Sequence, residues 1–154
     1  MTLLIKSEEI LNSLFVEVFN DILLIEQKTL KAGVLSDLSV TEMHTLEAIG
    51  YKGSRTMSEI AHDLNITVGT LTTAINKLIK KEYVSRKRIE SDRRVVLVEL
   101  TRKGKVAHRL HERFHREMIK ATVGSLTEDE ALALGKALNN MISFFKVQCL
   151  SDEN

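Results

Sequence analysis

The segment 65–101 constrains the fold more than any other part of the chain. Its first part is rich in small and polar residues, among which three apolar residues recur at helical spacing: Leu71, Ile75 and Leu78. Two predicted strands follow at 84–89 and 95–100, joined by a polar turn. A helix with one small-polar face and a basic hairpin behind it predicts a winged helix-turn-helix.

The remainder of the chain is predicted to be helical. Its 154 residues include no proline and only 5% aromatic residues, which favours long uninterrupted helices. Capping boxes, in which glutamate follows a hydroxyl residue by three positions, mark helix starts at Ser39, Thr56 and Thr127. Glycines end the first and fifth helices, at Gly33 and Gly124. The expected helices span residues 7–30, 39–50, 56–64, 67–81, 101–123 and 127–150.

The fold class is therefore mainly α (α+β), in a single domain covering 1–154. The winged helix-turn-helix occupies 39–100, and helix 101–123 connects it to the C-terminal helix. The segments 7–32 and 125–150 are expected to be dimerisation helices. The first is apolar on more than one side, which suggests a partner chain, and for the second this role is implied by the resemblance described below. No stretch is as long and apolar as a membrane span or resembles a cleavable signal, and the single cysteine suits a reducing cytosol, so we expect a cytoplasmic protein.

Charge is distributed unevenly although the net charge is only +1. Residues 1–50 contain eight acidic and three basic residues, whereas 77–94 contain eight basic and three acidic residues. Binding to phosphates depends on such a local basic cluster, so the second segment predicts contact with DNA. No glycine-rich phosphate loop or paired nucleophile and base is recognisable, so an enzyme is not expected. A helical interaction module that never binds DNA remains the alternative.

The DNA contacts divide into base-edge and phosphate contacts. Small polar side chains of the fourth helix suit base edges, with a preference for AT-rich sequence because threonine methyl groups can contact thymine methyl groups. Basic residues supply phosphate contacts, and Gly69 lets the backbone approach the DNA. The full predicted set comprises Thr67, Gly69, Thr70, Thr72, Thr73, Asn76, Lys77, Lys80, Arg86, Arg88, Ser91, Asp92, Arg93 and Arg94. Thr67 is also the expected N-cap of this helix.

Histidines on the fifth helix suggest a different kind of site. Three of them recur at i, i+3 and i+7, and a fourth lies in the second helix: His108, His111, His115 and His44. Neutral imidazoles in this arrangement can bind zinc. Packing at a domain junction or hydrogen bonding to helix carbonyls is the more common role of such histidines, and no cysteine pair or certain carboxylate completes a ligand set. We therefore predict no metal or other cofactor, and keep zinc sensing as the alternative.

The wing and the start of the fifth helix resemble the MarR family of bacterial transcription regulators. The matching pattern is Asp92-x-Arg94 followed by Val98-x-Leu100-Thr101-x-Lys103-Gly104. Further segments resemble one branch of the family, the repressors of fatty-acid biosynthesis of streptococci and related Firmicutes: 42–45, 69–73, 92–96 and 108–115. The resemblance implies a homodimeric repressor that binds a pseudo-palindromic operator. It also implies that Asp92 holds Arg94, and that Arg93 or Arg94 enters the minor groove.

The same resemblance implies long-chain acyl-acyl carrier protein as a co-repressor. Ligands of the family bind between the dimerisation helices and the DNA-binding core, which makes apolar residues of the first and fifth helices pocket candidates: Phe15, Phe19, Ile22, Leu110, Phe114 and Met118. Ordinary packing explains these residues as well. The acidic carrier protein would dock on the basic part of the fifth helix: Arg102, Lys103, Lys105, Arg109 and Arg113.

Overall fold

The computed structural model describes the backbone of residues 2–92 and 94–151, and the side chains of residues 7–92 and 94–148. The chain divides into two compact units, residues 1–111 and 112–154. The elements, in chain order, are α1 (Thr2–Ala32), α2 (Val40–Ile49), β1 (Arg55–Thr56), α3 (Met57–Asp63), α4 (Val68–Lys80), β2 (Val84–Arg88), β3 (Val96–Leu100), α5 (Arg102–Val123) and α6 (Glu128–Ser151). The winged helix-turn-helix with additional helices at both ends is thereby confirmed.

Side-chain caps place the helix boundaries as expected. The capping boxes at Ser39 and Thr56 are both formed, with Glu42 and Glu59 as the reciprocal partners. At the start of α6, the backbone N–H of Glu130 donates to Thr127 and the Glu130 carboxylate accepts from the Thr127 N–H. These caps satisfy backbone N–H groups that have no partner within the helix, so each boundary is encoded locally.

The predicted start of α1 at Ser7 is wrong, because the helix already begins at Thr2. The five residues before Ser7 include leucine, isoleucine and lysine but no glycine or proline, so nothing stops the helix from extending towards the N-terminus. Ser7 consequently lies inside the helix rather than at its cap. Along α1, Leu14 and Phe19 are 50% and 54% exposed, which leaves an apolar surface without cover in this chain.

The sheet has a third strand that the sequence did not indicate. The two-residue strand β1 pairs antiparallel with β3, which also pairs with β2, giving the order β1-β3-β2. Val98 of β3 stands opposite Arg55 on one side and Arg86 on the other. A two-residue strand has too little pattern to be recognised, and it forms only because β3 offers a hydrogen-bonding edge.

The core lies within the helix-turn-helix and the root of the wing. Met43, Leu46, Leu71, Ile75 and Val98 are fully buried there, so α2, α4 and β3 are held by apolar packing. This packing fixes which face of α4 points outward. In the part of the chain that the structure describes, no helix is long and apolar enough to span a bilayer.

Candidate nucleic-acid interface

The outward face of α4 carries most of the predicted base-edge contacts. Its buried face consists of Leu71, Ile75 and Leu78. Thr72, Ala74 and Ile79 are half-buried. The exposed polar and glycine positions of the helix and its N-cap are Thr67, Gly69, Thr70, Thr73, Asn76, Lys77 and Lys80. Because i, i+3 and i+7 positions share a face, Thr70, Thr73 and Lys77 form one continuous polar stripe.

The threonine hydroxyls of α4 are already engaged within the helix. Thr67 is the N-cap, since its hydroxyl accepts from the backbone N–H of Thr70, and the two hydroxyl oxygens lie 2.9 Å apart. Thr72 donates to the carbonyl of Val68 at 2.8 Å, and Thr73 donates to that of Gly69 at 3.4 Å. Towards a ligand these side chains therefore present chiefly methyl groups and acceptor lone pairs.

A side-chain hydrogen bond connects α4, the recognition helix of the helix-turn-helix, with the wing, which is the hairpin of β2 and β3. The guanidinium of Arg86, on β2, donates to the Asn76 side-chain oxygen at 2.7 Å, and both residues are exposed. Sequence reasoning placed both residues in the interface but did not foresee that they contact each other. The bond holds the Arg86 cation beside the polar stripe of α4, so a single ligand can contact both elements. On the same strand, Lys87 is paired with Glu99 at 2.6 Å, while Arg88 is exposed.

The wing tip is a tight polar turn. The Asp92 carboxylate accepts a hydrogen bond at 3.0 Å from the backbone N–H of Arg94, an Asx-type turn, and the Val95 N–H donates to the Asp92 carbonyl. The resemblance implied a charge-assisted hydrogen bond between the Arg94 guanidinium and Asp92. The contact seen here is to the backbone N–H of Arg94, so Asp92 orients Arg94 through the backbone. Ser91 and Arg94 are exposed at the tip. Arg93, also predicted to contact DNA, lies outside the described residues.

Partly exposed charges and the buried Tyr83 connect the end of α4 to the start of α5. The Lys81 ammonium lies 2.7 Å from the Glu42 carboxylate, and the Tyr83 hydroxyl donates to Asp37 at 2.7 Å. Lys103 donates to the Lys81 carbonyl at 2.8 Å and lies 4.1 Å from the centre of the Tyr83 ring. The contacts join residues that are up to 46 positions apart, so sequence periodicity gave no signal for them.

The same network shifts the pKa values of its acidic groups. Burial acts to raise the pKa of Asp37, but the Tyr83 hydrogen bond and the nearby Lys103 charge outweigh it, so this pKa is lowered. Burial also opposes ionisation of Glu42, but hydrogen bonds from Lys81 and Ser39 lower its pKa. Burial and the bond to Asp37 raise the pKa of Tyr83. All three groups therefore keep their neutral-pH charge states, which stabilises the base of the wing.

The five basic residues predicted to dock a carrier protein have different surroundings. Lys103 belongs to the network just described, so it is less available than predicted. Arg109 donates to the Tyr51 hydroxyl, and its guanidinium carbon lies 4.7 Å from the centre of the Tyr51 ring. The Lys105 ammonium lies 5.8 Å from the centre of the same ring. Arg102 is exposed, and Arg113, in the second unit, pairs with Glu117 at 2.8 Å.

The predicted pocket residues are partly exposed and form part of apolar helix faces. In the first unit, Phe15, Phe19 and Leu110 are 38%, 54% and 40% exposed, and Ile22 is half-buried. In the second unit, Phe114 and Met118 are half-buried, and the Phe114 ring packs edge-on against His115. Such surfaces suit either a partner chain or an apolar ligand.

The four predicted histidines separate into different environments. His44 and His111 come together beside two carboxylates, Glu26 and Glu47, that sequence reasoning did not connect with them. His108 instead packs against the Tyr51 ring, with 5.9 Å between ring centres. His115 belongs to the second unit.

The fold and this surface define a winged helix-turn-helix protein with a polar, basic outer face. The profile of the MarR family matches residues 38–96. The chain is similar to FabT from Streptococcus pneumoniae, whose crystal structure was solved in complex with DNA. The two sequences are 40% identical, the structural match covers 88% of this chain and 95% of that chain, and the TM-score is 0.84. The chain therefore belongs to the MarR family of transcriptional regulators.

More distant relatives agree with this assignment. The HTH-type transcriptional regulator PchR of Bacillus subtilis is 26% identical over 71% of this chain and 67% of that regulator. This chain also matches the chain of the Staphylococcus aureus MepR–DNA complex, with 23% sequence identity, a TM-score of 0.71, and coverage of 86% of this chain and 96% of that chain. At this identity the similarity supports the fold alone. The chain spans 67% and 65% of the length of the first two curated relatives that it matches.

Proposed function

We propose that this regulator represses fatty-acid biosynthesis genes by binding an AT-rich, pseudo-palindromic operator as a homodimer, with long-chain acyl-acyl carrier protein as co-repressor. The observation that carries the DNA-binding part is the continuous surface made by the exposed α4 stripe and Arg86, which Asn76 holds beside it at 2.7 Å. The similarity to FabT, which was solved in complex with DNA, supports DNA binding. The fatty-acid genes and the co-repressor depend on the sequence resemblance.

On this proposal, α4 enters a major groove and the wing follows the adjacent backbone. Lys77, Lys80 and Arg88 are exposed cations around the α4 stripe and suit phosphate oxygens. Because Thr72 and Thr73 donate within the helix, they offer methyl groups and acceptor lone pairs to bases, and thymine offers the complementary methyl group. This chemistry supports an AT-rich site.

Substitution at the wing tip tests the DNA-binding part. Arg94 is exposed and its backbone is fixed by Asp92, so Arg94→Ala removes the cation while the turn is retained. If the side chain enters the minor groove, operator affinity falls by roughly 1–3 kcal/mol, about 5- to 160-fold. Arg116→Ala, which removes an exposed cation of α5 paired with Glu112, is the matched control. Equal operator affinity in Arg94→Ala and Arg116→Ala excludes the groove contact.

The homodimer is supported by apolar helix faces that one chain leaves exposed. In α1 the exposed set includes Ile10, Leu11, Leu14, Phe19, Leu23 and Leu24. In α6 it includes Leu132, Leu138, Ile142, Phe144, Phe145 and Val147. Continuous apolar surface of this kind is typical of a subunit interface. Two chains on a pseudo-palindrome would place their recognition helices about 34 Å apart, one turn of DNA.

Sedimentation equilibrium tests the dimer directly. Phe19→Glu and Phe145→Glu place a charge on the exposed faces of α1 and α6, and we expect both to shift the protein towards monomer. Val34→Glu is the control, because Val34 is 82% exposed in the turn after α1. A monomeric wild-type protein, or identical association of all three variants, contradicts the dimer.

The co-repressor is tested by titrating operator complexes with acyl-acyl carrier protein, using the carrier without its acyl chain as the control. The expected result is tighter operator binding with the acylated form only. Lys105→Glu, next to Arg109 and Tyr51, should weaken this effect by charge repulsion with the acidic carrier. Lys120→Glu changes an exposed lysine further along α5 and should not weaken it. Unchanged operator affinity with the acylated carrier excludes it as the co-repressor.

A further inference from the structure

The hydrogen bond between Asn76 and Arg86 fixes which way the Asn76 amide points. Its two atoms, Arg86 Nη2 and Asn76 Oδ1, lie 2.7 Å apart, and both side chains are exposed. A guanidinium carries N–H donors and no acceptor, so only the oxygen of the amide can face it. The amide nitrogen of Asn76 therefore points away from Arg86, where its N–H groups can donate to a ligand.

The backbone on both sides of this bond is held by the core. Ile75, which precedes Asn76, is fully buried, and so is Val98, which pairs with Arg86 across β2 and β3. Apolar packing already joins α4 to the sheet, and an exposed hydrogen bond replaces bonds to water at a small net gain. The bond therefore adds little to stability, but it orders two side chains in advance of a ligand and so lowers the entropic cost of binding.

The bonded pair presents mainly hydrogen-bond donors. All but one of the guanidinium N–H groups and both amide N–H groups remain available, whereas Arg86 occupies one of the lone pairs of the Asn76 oxygen. The guanidinium charge beside that oxygen also repels an approaching donor such as an amino group. An unpaired asparagine binds adenine through one donor and one acceptor, and the presence of Arg86 opposes that contact.

We propose that Asn76 and Arg86 act together as a donor unit that selects guanine at one position of each half-site. The inference rests on the proposed function, because it concerns the same DNA-binding surface. In the major groove guanine presents N7 and O6 as acceptors, whereas each other base presents a single acceptor or none. The helix rises about 4.5 Å from Thr73 to Asn76, and base pairs are about 3.4 Å apart. The guanine should therefore lie about one base pair from the bases that Thr73 contacts.

Selection of bound duplexes from a random pool, repeated with variants of the full chain, tests this proposal. The wild-type protein should prefer guanine to adenine at that position by about 5- to 160-fold, measured on duplexes that differ there alone. Arg86→Ala releases the Asn76 oxygen, so the preference should shift from guanine towards adenine. Asn76→Ala removes the support of Arg86 and should weaken the guanine preference without creating one for adenine. Both substitutions change exposed side chains, and circular dichroism verifies that the fold survives.

Arg88→Ala is the matched control, because it removes another exposed arginine from β2. It should lower affinity for all duplexes alike and leave the guanine preference unchanged. If Arg86 contacts a phosphate instead of a base, Arg86→Ala will behave in the same way and lower the salt dependence of binding by about one unit of slope, which overturns the proposal. A specific operator that lacks the guanine, or whose guanine preference survives in Arg86→Ala, overturns this inference alone. A wild-type selection without any base preference contradicts the proposed function as well.

Discussion

Gly104 lies where the start of α5 meets the root of the wing, and a methyl group there should be poorly tolerated. A Cβ atom at this position would lie under 3.0 Å from the Tyr83 carbonyl oxygen and 3.3 Å from the Leu100 Cβ. The same carbonyl accepts a 3.0 Å hydrogen bond from the Thr101 N–H, so it cannot move away without breaking that bond. The steric clash with the added methyl group can therefore be relieved only by displacement of the first turn of α5.

The cost of Gly104→Ala follows from these contacts. Overpacking costs about 1–3 kcal/mol, and a weakened buried hydrogen bond adds about 0.5–1.5 kcal/mol. The gain in helix propensity, about 1 kcal/mol, offsets part of this. A net loss of about 1–3 kcal/mol corresponds to a fall in Tm of roughly 2–12 °C for a chain of this size.

Differential scanning calorimetry at one fixed protein concentration checks this result, because dimerisation makes Tm depend on concentration. Gly69→Ala is the matched control, since the nearest atom to its Cβ would be the Thr67 hydroxyl oxygen at 3.9 Å. It should leave Tm unchanged or raise it slightly. Gly104→Ala with a Tm equal to that of Gly69→Ala would refute the steric argument.

Three further predictions concern the network at the base of the wing. The pKa values of Asp37 and Glu42 are lowered by folding, so their stabilisation is present at neutral pH and should be lost as pH falls from the unfolded pKa values of 3.8 and 4.5 through the lower folded pKa values. Urea unfolding at pH 7 and at successive pH values below about 4.5 measures this loss. Lys81→Met removes the ammonium group that pairs with Glu42 at 2.7 Å, and should lower the free energy of unfolding by about 1–3 kcal/mol in urea titrations. Tyr83→Phe removes only the hydroxyl that donates to Asp37, and should lower the free energy of unfolding by about 0.5–1.5 kcal/mol. Unchanged urea midpoints in both variants would contradict a stabilising role for the network.

Local signals made the helices predictable. The capping boxes at Ser39 and Thr56 and the N-cap at Thr67 involve residues within three positions of each other, so their chemistry is visible in the sequence. The fifth helix likewise begins at Thr101, whose hydroxyl accepts from the Gly104 N–H at 3.1 Å. The start of α1 was misplaced because Ser7 looked like a cap although nothing before it interrupts the helix.

Features that depend on long-range pairing were not predictable in the same way. The strand β1 requires β3 as a partner, and the bond between Asn76 and Arg86 requires the wing to fold back onto α4. The histidine periodicity on α5, with His44 of the second helix, offered a zinc site only as the alternative. The structure instead gathers His44 and His111 around carboxylates from α1 and α2, a combination that only the tertiary fold creates.

We propose that the α4 stripe and the wing recognise one AT-rich DNA sequence in two symmetric copies. The most direct measurement is selection of bound duplexes from a random pool, followed by affinity measurements across a range of salt concentrations. We expect the selection to enrich two AT-rich half-sites one helical turn apart. We expect the logarithm of the affinity to fall linearly with the logarithm of the salt concentration. Failure of the selected duplex to bind more tightly than a scrambled duplex, or an affinity independent of salt, would contradict it.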